Sequence, residues 1–173
     1  MSKVSAFGVV LALFALPAVV SAQGSASMTA RVLSGITVTE STGLNFGDIE
    51  AAASATTTVS PDAPGTGQTV ANLTIAGTSG VAVTVSWTDP ASTPIAFTGP
   101  VGATGSLAMT AADVRAATAG SAMPATSFTS GNAVTLDGTN GEATVWVGGT
   151  VTQGATAPSA GTWTGTFSFS VAY

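Results

Sequence analysis

From Ala26 the chain alternates: Ala26, Met28, Ala30 and Val32, then Ser34, Ile36 and Val38, occupy even positions, with Ser27, Thr29, Arg31, Thr37 and Thr39 between them. A period of two sends one set to the buried face of a strand and the other to water. Leu33 and Gly35 interrupt the pattern and mark a bulge or the join of two strands. Further strand candidates follow at Leu44 to Ile49, in the Thr-rich piece Ala55 to Ser60, and at Val70 to Ala76. The last of these, the turn Gly77 to Gly80 and the one-faced series Val81, Val83, Val85 and Trp87 read together as a hairpin. Between Asp89 and Gly131 the pattern weakens: Ile95 to Thr98 and Leu107 to Thr110 are short strands, and Ala111 to Ala119 fits one or two helical turns. Ala133 to Asp137 and Glu142 to Thr152 flank Asp137-Gly138-Thr139-Asn140-Gly141, a strong hairpin signal, and Gly148-Gly149 breaks the second of these strands. The cleanest alternation is terminal, with Trp163, Phe167, Phe169, Val171 and Tyr173 on one face and hydroxyl residues on the other.

Together these segments predict an all-β protein, an immunoglobulin-like antiparallel β-sandwich of about eight to ten short strands. Residues 1–22 stand apart from it. Lys3, an apolar stretch from Val4 to Val20 containing Pro17, and Val20-Ser21-Ala22 before Gln23 have the layout of a secretory signal peptide cut after Ala22. The expected organisation is therefore a leader, 1–22, and one domain, 23–173, of which 23–34 is a candidate donor-strand extension. The expected location is the periplasm, cell surface or exterior, reached through the Sec pathway, with no span in the mature chain.

Composition removes most chemistry. The 173 residues include no Cys and no His, so thiolate or imidazole metal sites, disulfides and Cys or Ser-His nucleophiles are excluded, and no cofactor is expected. Three basic residues, Lys3, Arg31 and Arg115, face eight acidic ones, and loss of Lys3 with the leader takes the net charge from −5 to −6. Such a surface cannot neutralise a run of phosphates, which argues against nucleic acid as a partner. Without lysine after residue 3, the edges of the sheets lack one of the usual guards against pairing with another chain.

Few residues invite a chemical role. Asp48 and Glu50 would lie about 7 Å apart on one face of a strand, a spacing compatible with inverting glycoside hydrolysis, but no polar cluster accompanies them and two exposed charges are expected. Asp137 to Glu142 lacks the order of a calcium loop and reads as a turn. Asn72-Leu73-Thr74 matches a glycosylation sequon of low specificity. Trp87 and Trp163 fall on apolar faces and are expected in the core, whereas Trp146 falls opposite Val145 and Val147 and is a candidate ligand surface.

Leu44-Asn45-Phe46-Gly47, Val147-Gly148-Gly149-Thr150 and the ending Gly161-Thr162-Trp163-Thr164-Gly165-Thr166-Phe167 through Val171-Ala172-Tyr173 resemble the pattern of a bacterial family of secreted all-β domains of unknown function. That family is in turn similar to chaperone-usher pilins and spore-coat U type proteins. The likeness implies an incomplete sandwich whose groove is filled first by a periplasmic chaperone and then by the N-terminal strand of another subunit, held by main-chain hydrogen bonds and alternating side chains. Gly161 and Tyr173 stand one residue displaced from the pilin C-terminal pattern, and the pilin disulfide has no counterpart.

On this likeness the expected function is that of a secreted, non-enzymatic subunit of a surface appendage or coat. It would self-associate or bind sibling subunits, donating Ala26, Met28, Ala30 and Val32 and accepting at the terminal strand. The donor segment also fits an ordinary first strand of a complete sandwich. Two other readings stand beside it: a monomeric adhesin or carbohydrate binder using Trp146, and a small outer-membrane barrel, for which most strands are short and Thr/Ala-rich.

Overall fold

The computed structural model describes residues 29–173, and the notional signal peptide together with Ala26 and Met28 lies outside them. The chain divides into Met1–Arg31 and Val32–Tyr173, and every strand belongs to the second unit. In chain order the strands are β1 (Thr37–Thr42), β2 (Thr56–Val59), β3 (Ala71–Ala76), β4 (Ala82–Ser86), β5 (Ile95–Ala96), β6 (Leu107–Thr118), β7 (Asn132–Thr135), β8 (Glu142–Gln153) and β9 (Ser170–Ala172). No helix occurs among the described residues.

The strands form two antiparallel sheets. One runs β1-β3-β8-β6-β5, with β2 also paired to β8, and the other runs β7-β4-β9. The long β8 serves two partners on one side: β3 covers Glu142 to Val147 and β2 covers Gly149 to Thr152. The alternating residues of both sheets meet between them, where Ile75, Val83, Val85, Val114, Val145 and Leu136 are almost wholly buried. A second cluster of Phe46, Val59, Leu107, Met109 and Val151 lies on the other half of β6 and β8. The protein is thus all-β and sandwich-like, and its two open sheets do not close into one barrel among the described residues.

Several elements differ from expectation. Of Ala111 to Ala119, all but the last residue is strand, because β6 is paired with β8 up to Thr118 and the interstrand bonds outweigh the helical preference of alanine. The register shift between Met109 and Ala111 is a bulge that the alternation could not reveal. Neither expected hairpin forms as one. The turn after β3 leads into the other sheet, with the Gly77 and Gly80 amides bonded to the Gly141 and Asp137 carbonyls. The Asp137 to Gly141 turn does close, Gly141 N–H donating to Asp137 at 3.0 Å, yet β7 and β8 part into different sheets.

Gly148-Gly149 does not break β8. A Cβ at Gly148 would collide with the Val59 carbonyl and Pro61, and one at Gly149 with Met109 and the Ala111 carbonyl, so the glycines admit β2 and the bulged part of β6. Leu44 to Ile49 is not a strand. It has a single bridge, Asn45 to Thr69, and turns away where Gly47 adopts φ 73° and donates its N–H to Asn45 Oδ1 at 2.9 Å.

Candidate functional site

The expected terminal strand, Trp163 to Tyr173, pairs only at its ends. Thr164 bridges to Thr98, and Ser170 to Ala172 pair with β4. Between them Gly165 to Ser168 make no backbone hydrogen bond among the described residues, while Phe167 and Phe169 are half-buried. Their rings pack edge to face at 4.7 Å, and Phe169 meets Trp87 at 5.8 Å. Side-chain burial holds this segment where backbone pairing does not.

Facing it across the gap between the sheets is β1. Its only strand partner among the described residues is β3, leaving the far edge open, and all six of its residues are exposed, Val38 by 44%. Val38 nonetheless lies over Leu73, Ile75, Val145, Phe169 and Val171, which makes it an inward-facing residue without a cover. Beyond β1 the irregular Gly43 to Ala51 continues this lip of the gap.

The gap deepens into two adjoining clefts. One, of about 370 Å³, is floored by Leu73, Met109 and Val147 and walled by Phe46, Phe97 and Phe167. The next, of about 730 Å³, runs between Asn45 to Ile49 on one lip and Pro158 to Trp163 on the other. Leu44, Phe46, Phe97 and Trp163 belong to both, so the two form one elongated depression. Phe46 and Phe97 pack edge to face at 6.1 Å, and Trp163 keeps its indole N–H satisfied at Ser159 O, 3.1 Å away. An apolar floor between an open strand edge and an unpaired segment is suited to an extended peptide with alternating apolar side chains.

Of the candidate donor residues, Ala30 and Val32 fall in irregular, exposed chain, Val32 being 93% accessible. Trp163, Phe167 and Phe169 come together on the cleft, while Val171 lies beside Val38 and Tyr173 beyond it. Leu44, Phe46, Phe97 and Met109 were not recognised as lining residues. The apolar pair Leu44 and Phe46, bracketed by Gly43 and Gly47, is the signal that points to them.

Trp146 is half-buried on the outer face of its sheet, in register with Asn72 and Arg115, and lines none of these clefts. Trp87 and Trp163 are half-buried against the two core clusters rather than fully enclosed. Asp48 and Glu50 are exposed on irregular chain, so the strand geometry that would set two carboxylates to one face is absent.

Arg115 is a buried cation that the sequence pattern did not single out, although Asp113 two positions earlier shares its face of the strand. Only 5% exposed, it donates to Asp62 at 2.6 Å, to Asp113 at 3.2 Å and to the Pro124 carbonyl at 2.9 Å. Its hydrogen bonds donated to Asp113 first and Asp62 second raise its pKa further. With every partner internal to the domain, the cluster ties the 61–64 and 121–127 loops to β6. No group of carboxylates able to hold a metal ion occurs among the described residues.

A family model described as a domain of unknown function (DUF4402) matches residues 36–173, which covers both sheets and the cleft. No curated protein and no solved structure matches the chain.

Proposed function

The chain belongs to the DUF4402 family, and from that premise and the open cleft we propose that it is a secreted structural subunit of a bacterial surface appendage or coat. The subunit assembles by strand complementation. One observation carries the reading: an apolar depression lies between the free edge of β1 and the unpaired Gly165 to Ser168. The occupant is residues 26–32 of another copy of this chain. Those residues precede the sheets, alternate apolar and polar, and extend about 23 Å as a strand. Their inward series would cover Val38 and reach the aromatic floor.

The role is non-catalytic and follows export directed by residues 1–22. In the periplasm a chaperone strand would shield the same cleft before assembly. A glycan-binding role through Trp146 draws less support, since that ring lies outside the clefts described above.

Light scattering and negative-stain microscopy on the chain from Gln23 and on one from Gly35 test the proposal. Filaments or heat-labile oligomers from the longer form alone support it, and two equally stable monomers overturn it. Replacing Met28 and Val32 by Asp should abolish assembly and leave a folded monomer. An unfolded product would make the segment an internal strand and sink strand donation.

A further inference from the structure

Residues 26–32 stand directly before β1, so two acceptors compete for them: the edge of their own β1 and that of another molecule. The sequence supplies a means for the first. Leu33-Ser34-Gly35 has the length and final glycine of a three-residue hairpin loop, in which a type I turn is followed by a left-handed residue. Closure there would pair Val32 with Ile36, Ala30 with Val38 and Met28 with Glu40. Partners directly opposite share a face, and Val38 and Glu40 face the gap. The apolar side of the extension would then fill its own cleft, and nothing would remain for a neighbour.

The structure does not close that turn. Ser34 N–H donates to Thr78 Oγ1 at 2.7 Å, and the Tyr173 hydroxyl donates to the Ser34 carbonyl at 2.8 Å. The same hydroxyl accepts from Thr78 N–H at 2.7 Å and lies 3.2 Å from Thr78 Oγ1, so three residues distant in sequence are joined through one oxygen pair. Thr37 is the register partner of Ala76, and Ser34 beside Thr78 therefore prolongs the line of β1 past the end of β3 instead of doubling back. Gly35 keeps its φ outside the left-handed region that the hairpin requires. Gly77 makes room for the arrangement, since a Cβ there would stand 2.6 Å from the Tyr173 hydroxyl.

We propose that this latch of Tyr173 and Thr78 on Ser34 selects the partner: it disfavours self-insertion and so reserves the cleft for the extension of a second copy. The inference rests on strand donation as the function. The latch is made of hydrogen bonds only, so it biases a choice made during folding and does not forbid the alternative.

The test uses the full chain, purified after export, unfolded in denaturant and refolded at a fixed concentration, with light scattering and limited proteolysis as readouts. Tyr173→Phe removes all three hydroxyl contacts and should raise the ratio of monomer to oligomer about tenfold, with residues 26–32 of the monomer protected from protease. Thr78→Val, which removes the side-chain acceptor for Ser34, should shift the ratio in the same direction and serves if Tyr173→Phe does not fold. The decisive arm is rescue. Gly35→Val has open space for its side chain but resists a left-handed φ, so Tyr173→Phe with Gly35→Val should return to oligomer.

An oligomeric Tyr173→Phe chain, or a monomer that Gly35→Val does not restore, overturns the latch and leaves strand donation standing. A wild-type monomer whose extension is protected also overturns the latch, because the chain then fills its own cleft. A wild-type monomer with residues 26–32 open to protease overturns strand donation itself.

Discussion

At the scale of the residue, small polar groups and missing side chains set the geometry. Asp137 receives the N–H groups of Asn140 and Thr139, at 2.5 and 3.1 Å, and these bonds, that of Asn140 first, hold its pKa below the ordinary aspartate value. A carboxylate stabilised in the folded state contributes stability above its unfolded pKa and loses it as the pH falls through the folded value. The turn should therefore loosen only below the ordinary aspartate range. Following the Thr139 and Asn140 amide resonances against pH should give a midpoint lower than that of an Asp in a short peptide, and Asp137→Asn should erase the dependence. Gly149 acts through absence. A methyl there meets Met109 and the Ala111 carbonyl, and Gly149→Ala should cost about 1–3 kcal/mol by overpacking, read as a lower denaturant midpoint with unchanged slope.

At the scale of the element, β1 stands out because all six of its residues are exposed. It has one strand partner among the described residues and no lysine, proline or bulge guarding its outer edge, the register irregularity at Glu40 to Thr42 lying on the β3 side. A charge at its inward position would guard it. Val38→Lys should abolish oligomers on light scattering while changing unfolding stability by about 0.5 kcal/mol or less, as expected for a surface site. Strong destabilisation instead would mean that Val38 is core, not acceptor. The terminal segment shows the complementary case. Phe167 and Phe169 anchor it by packing, but with no strand beside them Gly165 to Ser168 leave their peptide groups to water or to a partner.

At the scale of the whole molecule, a sandwich with an uncovered apolar gap is less stable alone than when complemented. Any strand that binds the folded form and not the unfolded one raises stability in proportion to RT ln(1 + [L]/Kd). A synthetic peptide spanning residues 23–34, added at about 100 times its Kd to the chain from Gly35, should contribute about 2.7 kcal/mol and raise Tm. A peptide with Asp at positions 28 and 32 should not. The acidic balance of the chain, net −5, makes neighbouring copies repel at long range, so association would depend on this short-range fit and be favoured by added salt.

The alternation by itself determined the all-β class and placed most of β2, β3, β4, β7 and β8 to within a residue or two, because burial on one face of a strand demands a period of two wherever it occurs. The absence of Cys and His settled which chemistries have no side chains to carry them. The same alternation could not say which strands share a sheet. A turn such as Asp137 to Gly141 specifies a local reversal, whereas the parting of β7 from β8 depends on which apolar faces meet across the core. It also misjudged the alanine-rich β6, whose conformation comes from its ladder with β8. The cleft was legible only in part: the terminal aromatics showed one wall, while Leu44 with Phe46, Phe97 and Met109 are brought to it from three separate stretches of chain. Tertiary structure alone decided which apolar residues lack a cover, because a strand's pattern records that a face is to be buried and not whether the burying partner lies in the same molecule.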